Sequence, residues 1–101
     1  MAARAELGLA RQRAEGELAG LHRQTTELIV AAQRYRGEAA ASSADLLRIA
    51  ETAYRAGEAT ILELLDAYRG ALEAETTALD LEWKAREARI DLDQLTGNHP
   101  Q

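Results

Sequence analysis

From Ala14 to Ala56, apolar or small residues recur in alternating steps of four and three: Ala14, Leu18, Leu21, Thr25, Leu28, Ala32, Tyr35, Ala39, Ser42, Leu46, Ile49, Ala53 and Ala56. A helix turns once every 3.6 residues, so such a line marks one stripe down its side, ready to be buried against another helix. A strand would alternate with a period of two and cannot produce it. Thr25 and Ser42 are the only polar members, and both are small. Gly16, Gly20 and Gly37 each weaken a helix by about 1 kcal/mol relative to alanine, but no proline or cap interrupts the line. The spacing predicts one helix over residues 3–56, about 80 Å long at about 1.5 Å per residue.

The second half carries two such lines. One is small: Leu64, Ala67, Ala71, Ala74, Ala78, Leu81, Ala85, Ala88, Leu92 and Leu95. The other is bulky: Ile61, Leu65, Tyr68, Leu72, Leu79, Trp83 and Ile90, interrupted by Glu75 and Arg86. At about 100° per residue they lie roughly a third of a turn apart. A helix in a two-stranded coil needs one seam; a helix with two is contacted by two neighbours. The alanine seam admits one neighbour closely, and the bulky seam holds another further off. This suits a closed barrel or bundle of helices, and the alanine seam is expected to make the chain self-associate.

Between the halves, stop and start signals stand side by side. Gly57 can take the left-handed conformation that closes a helix. Thr60-Ile61-Leu62-Glu63 reads as a capping box, the hydroxyl taking an orphan backbone N–H and the glutamate reaching back to the cap. Gly70 has no capping residue behind it and reads as helix interior. Leu95-Thr96-Gly97-Asn98-His99-Pro100 ends the second helix, with a glycine just past the last seam residue and a proline beyond. The expected fold is all-α: an antiparallel hairpin of two long coiled-coil helices, a piece of an α-helical barrel. In a single unit spanning 1–101, the first helix covers 3–56, the tip turn 57–60, the second helix 60–96 and a short tail 97–101. Turning near residue 58, the hairpin sets Leu46 beside Gly70 and Leu28 beside Ala88, and about 18 residues of the first helix overhang. A line through Leu47, Ala50, Tyr54, Gly57, Ile61, Leu64, Tyr68 and Ala71 is also in heptad phase, so periodicity alone admits one unbroken helix as well.

Catalytic and ligand-binding patterns are scarce. There is no cysteine, the two histidines His22 and His99 are far apart, and no phosphate-binding or nucleophile-elbow motif occurs. Carboxylate pairs such as Glu63/Asp66 and Asp91/Asp93 read as solvated helix surface. No enzyme activity, cofactor or metal site is expected. Residues 1–36 hold six arginines against four acidic residues, whereas residues 37–101 hold six basic against thirteen acidic. That balance gives no nucleic-acid footprint. The longest apolar run, Leu28 to Ala32, falls far short of the about 20 residues that span a bilayer. No secretory leader opens the chain, so it reads either as cytoplasmic or as a piece of a longer exported protein. Tyr35, Tyr68 and Trp83 sit on seams and read as packing residues; Tyr54 borders the turn, where a hydroxyl can reach a neighbouring chain.

Residues 50–97 resemble the second periplasmic helical hairpin of the TolC-like outer-membrane efflux factors. The resemblance rests on Tyr54-x-x-Gly57, then Thr60, Leu62 and Leu64-Leu65-Asp66-Ala67, a long alanine-leucine helix, and the closing Leu95-Thr96-Gly97. It implies a homotrimer in the full-length protein, each chain giving two hairpins to a twelve-helix tunnel below a membrane β-barrel, with this hairpin in the periplasm. Such a duct conducts passively and works with a periplasmic adaptor protein and an inner-membrane pump. The resemblance makes Arg55, Ala56, Gly57, Glu58, Ala59 and Thr60 the adaptor-docking tip. It makes Tyr54 a residue that holds the closed tip, and Glu63 and Asp66 carboxylates near a cation-favouring constriction. One departure is Ala59, where the best-described member of the family has a basic residue bonded across the closed tip; that latch is absent here unless Arg55 substitutes for it. Two other readings share the outline: the coiled-coil hairpin of an adaptor, whose Arg, Leu and Ser spacing is not found here, and an unrelated coiled-coil rod.

Overall fold

The computed structural model describes residues 2–97, with side chains from residue 3; Asn98, His99 and Pro100 of the expected stop signal, and the rest of the tail, lie outside the described residues. The first helix runs as α1 (Ala2–Tyr35), a π-helical turn (Arg36–Ala40) and α2 (Ala41–Arg55). After a tight turn, α3 (Ile61–Thr96) returns along it. No strand occurs among the described residues. The molecule is an antiparallel helical hairpin measuring 82 × 29 × 16 Å, its long axis the length of the first helix.

The turn is built from backbone groups that would otherwise be orphans. Gly57 adopts φ 78°, and the helix closes as a Schellman motif: the Glu58 N–H donates to the Ala53 carbonyl at 2.8 Å and the Gly57 N–H to the Tyr54 carbonyl at 3.1 Å. The Ala59 N–H shares the Ala53 carbonyl at 3.2 Å. Thr60, extended at φ −80° and ψ 162°, caps α3 by accepting from the Glu63 N–H at 3.1 Å. The reciprocal half of the capping box does not form: Glu63 is exposed, and its carboxylate accepts no hydrogen bond from the Thr60 N–H. Gly97, at φ 70°, caps the far end of α3.

The alanine seam is the inner face. Leu64, Ala74, Ala78 and Ala85 are buried against the first helix, and Ala78 is 0 % exposed. Small side chains here let the two helix axes approach closely, which the opposing Thr25 and Ala32, also buried, match from the other side. Thr25 tolerates burial because its hydroxyl donates to the Leu21 carbonyl at 2.9 Å. This seam faces the first helix of its own chain, so it is not the open surface on which the expectation of self-association rested. Residues 3–19 are exposed along their whole length, because α3 ends before reaching them.

The heptad line of the first helix does not survive to the turn. It holds through Leu21, Thr25, Leu28, Ala32, Tyr35 and Ala39, then moves one residue on: Ser43, Leu47 and Ala50 face inward, while Leu46 is 60 % exposed and Ile49 is 65 % exposed. The cause is the π-turn at Arg36–Ala40, which fits one extra residue into a helical turn and rotates everything after it. Ser42, placed on the expected seam, is likewise exposed.

Candidate functional site: tip and outer seam

The expected tip residues gather at one end of the rod. Tyr54 lies on the last turn of α2 and is 42 % exposed. Arg55 leans back along its own helix to Glu51 at 3.6 Å, so within this chain it does not bond across the tip. Ala56 ends the helix, Gly57 and Glu58 form the turn, and Ala59 is half-buried under it. Glu63 and Asp66 stand exposed on the first two turns of α3. Beside the tip an open groove of about 620 Å³ is lined by Asp45, Arg48, Ile49, Thr52, Ala53, Ala56 and Glu58. Its apolar floor is formed by Ile49 and Ala56, which are exposed, with the half-buried Ala53 between them. The groove shares Ala56 and Glu58 with the expected docking stretch and extends it up α2 to Asp45.

The bulky seam of α3 lies on the outside. Ile61, Leu65, Tyr68, Leu72, Leu79, Trp83 and Ile90 are all exposed, Trp83 by 58 %. Tyr68 and Trp83 are therefore open to solvent rather than core residues of this chain; Tyr35 alone of the three seam aromatics is half-buried. No large side chain is fully buried among the described residues. The chain exposes 8118 Å², whereas a compact monomer of its mass exposes about 5,600 Å².

Arg36 is the residue that pattern reading missed. It projects from the first position of the π-turn and donates from Nη1 to Glu75 Oε2 at 2.5 Å and from Nη2 to Glu82 Oε1. The two carboxylates sit two helical turns apart on α3, astride the buried Ala78. Hydrogen bonding to Glu75 first, and to Glu82, raises the guanidinium pKa above its ordinary value, which keeps the charge fixed at any working pH. The other ion pairs, Arg48 with Asp45, Arg55 with Glu51 and Lys84 with Asp80, are local to one helix. The clue available in the sequence was Glu75 itself, an acidic break in an apolar line that calls for a cation nearby.

No group of three or more potential metal ligands lies together among the described residues. None of the described helices is long and apolar enough to cross a membrane. No protein-family model, curated protein or solved structure matches the chain. What the described residues present is surface: a capped tip with a shallow groove beside it, and an apolar stripe along one side of a rod.

Proposed function

We propose that this hairpin is a wall element of a trimeric, TolC-like outer-membrane duct, lying in the periplasm with its tip toward an adaptor protein. The observation that carries the reading is the outward-facing bulky seam of α3 on a hairpin whose inner face is already satisfied. A rod with one filled seam and one open seam is made to be laid beside further helices, as staves are in a tunnel. The tip sequence Tyr54-x-x-Gly57 with Leu64-Leu65-Asp66-Ala67 directs the reading to the efflux ducts among helical assemblies.

In this role the tip at Arg55–Thr60 meets the adaptor, and the apolar floor of the adjoining groove enlarges that contact. Tyr54 is free to hold a neighbouring helix. Glu63 and Asp66, exposed and in no ion pair among the described residues, repeat around the threefold axis and favour cations at the narrow end. The duct itself is passive, without cofactor or metal, and works with an inner-membrane pump.

A photo-reactive residue in place of Ala59, in the full-length protein in cells, tests the reading. An adduct with a periplasmic adaptor protein is the expected product. Cross-linking only to cytoplasmic proteins would remove the duct from consideration. The adaptor-hairpin alternative predicts instead an adduct with an outer-membrane protein.

A further inference from the structure

α2 is the most loosely held element of the hairpin. None of its residues is buried, whereas α3 and the opposing part of α1 each hold buried ones. Among the described residues no side-chain hydrogen bond or ion pair ties it to α3: Asp45 pairs with Arg48 and Glu51 with Arg55, both within α2. It lies on α3 through half-buried places filled by Ser43, Leu47, Ala50, Glu51 and Ala53. On one side of it stands the π-turn (Arg36–Ala40), which holds one residue more than an α-helical turn. On the other stands the tip turn, closed at Gly57. Arg36 is clamped to Glu75 and Glu82, so the chain before the π-turn keeps its place on α3.

The sequence of α2 fits those places twice. If the π-turn straightens into α-helix, each residue of α2 moves one place toward the tip. Ser42, Leu46, Ile49, Ala50 and Thr52 then fill the half-buried places. No charge moves inward, and Glu51 moves out. Leu46 and Ile49, 60 % and 65 % exposed in the described register, both gain cover, while Leu47 loses it. A move of one place the other way would carry Arg48 and Glu51 into half-buried places, where desolvation opposes a charge. Only the first direction is therefore open. The residue released by the π-turn goes to the tip turn, which takes in Arg55 beside residues 56–59.

We propose that α2 has a second register on α3, reached when the π-turn straightens and its extra residue passes into the tip turn. The step is about 1.5 Å along the helix axis and about 100° around it. It changes the face shown beside the tip. Arg48, Thr52 and Arg55 come to the places of Ile49, Ala53 and Ala56, so the apolar floor of the groove becomes a basic one. An apolar contact in the groove holds the described register, because a ligand shifts such an equilibrium only through its different affinity for the two states. The device goes beyond the duct reading and does not rest on it: it lies within one chain, and its failure leaves the duct reading untouched.

The chain contains no cysteine, so single replacements report the register through their rate of reaction with a maleimide. In the parent, Leu46→Cys and Ile49→Cys are expected to react faster than Leu47→Cys and Ala50→Cys. Deleting Ala56 leaves Gly57–Thr60 in place and draws α2 one place toward the tip. That variant is expected to keep its helical content and cooperative melting and to reverse the order of rates. In the chain of parent length, Leu47→Glu puts a charge into a half-buried place of the first register only. It is expected to slow Ile49→Cys and to quicken Ala50→Cys, each at least fivefold, with helical content retained. With Glu38 deleted as well, the spare residue is gone, and Leu47→Glu is expected to lower the melting temperature more than it does with Glu38 present. Rates in Leu47→Glu that keep the parent order would overturn the proposal. So would rates that rise together at Ile49→Cys and Ala50→Cys, the mark of local melting, or equal losses of melting temperature with and without Glu38. An Ala56 deletion that unfolds the hairpin or keeps the parent order would do the same.

Discussion

Arg36 holds Glu75 at 2.5 Å across the hairpin, joining the π-turn of the first helix to the middle of α3. One guanidinium, with a second hold on Glu82, ties together the place where the heptad phase breaks and the place where the outer seam is interrupted. A planar fork can bind two carboxylates at once, and an ammonium cannot reproduce that geometry. The clamp thus fixes the lengthwise register of two helices whose inner faces, mostly alanine, specify register weakly.

Arg36→Lys and Arg36→Ala should both lower the melting temperature, and Arg36→Lys should recover only part of the loss. The groups are exposed, so salt screens the pair: raising NaCl from 0.05 to 0.5 M should narrow the gap between the parent and Arg36→Ala in circular-dichroism melts. A gap that stays constant with salt would mean that the clamp is not electrostatic. The raised guanidinium pKa gives the sign of the pH effect. This contribution is fully present below the ordinary arginine value and is lost only as pH rises through the folded one, so pH between 6 and 9 should leave the Arg36 part of the stability unchanged.

Deleting Glu38 should convert the π-turn to ordinary α-helix without unfolding the hairpin. With one residue removed, Ala32, Tyr35 and the former Ala40, Ser43, Leu47 and Ala50 fall on a single line of alternating threes and fours. Helical content should stay level, and the melting temperature should hold or rise. A loss of cooperative melting would show that the bulge carries stability of its own.

The three glycines of the central stretch should separate cleanly by backbone. Gly57→Ala meets no atom but must hold φ 78°, and should cost about 1 kcal/mol or more. Gly70→Ala lies in open helix and should gain about 0.5–1 kcal/mol. Gly37→Ala, in the π-turn with open space around it, should also not destabilise. Urea titrations give all three; a destabilising Gly70→Ala would place a neighbour against that face in solution.

Ala78→Leu should be among the most damaging single changes on α3. The site has no exposure and faces the first helix between the two carboxylates of the clamp. Overpacking of this kind costs about 1–3 kcal/mol, or about 4–8 °C in melting temperature per kcal/mol for a chain of this size. The same change at the exposed Ala56 should be close to neutral, and equal effects at the two sites would contradict the close approach of the helices.

In the full-length protein, Glu63→Gln with Asp66→Asn should reduce the preference for cations over anions in planar-bilayer recordings if these carboxylates ring the narrow end of a duct. Unchanged ion selectivity in a conducting protein would separate them from the constriction.

What the sequence determined by itself is local. Helical periodicity, the left-handed glycine at 57, the threonine cap at 60 and the glycine closing α3 each depend on a few neighbouring residues, so each could be read from a short window, and together they make a hairpin. The two-seam pattern of α3 was legible for the same reason. The tertiary structure decided which phase of the first helix faces inward. Two lines one residue apart, through Leu46 and Ile49 and through Leu47 and Ala50, are both apolar, and local propensity does not choose between them. Packing against the alanine seam does, by way of an extra residue in a π-turn that leaves no mark in composition. The partners of Arg36 were hidden likewise, because Glu75 and Glu82 are remote in sequence and come near only when the chain has folded back on itself.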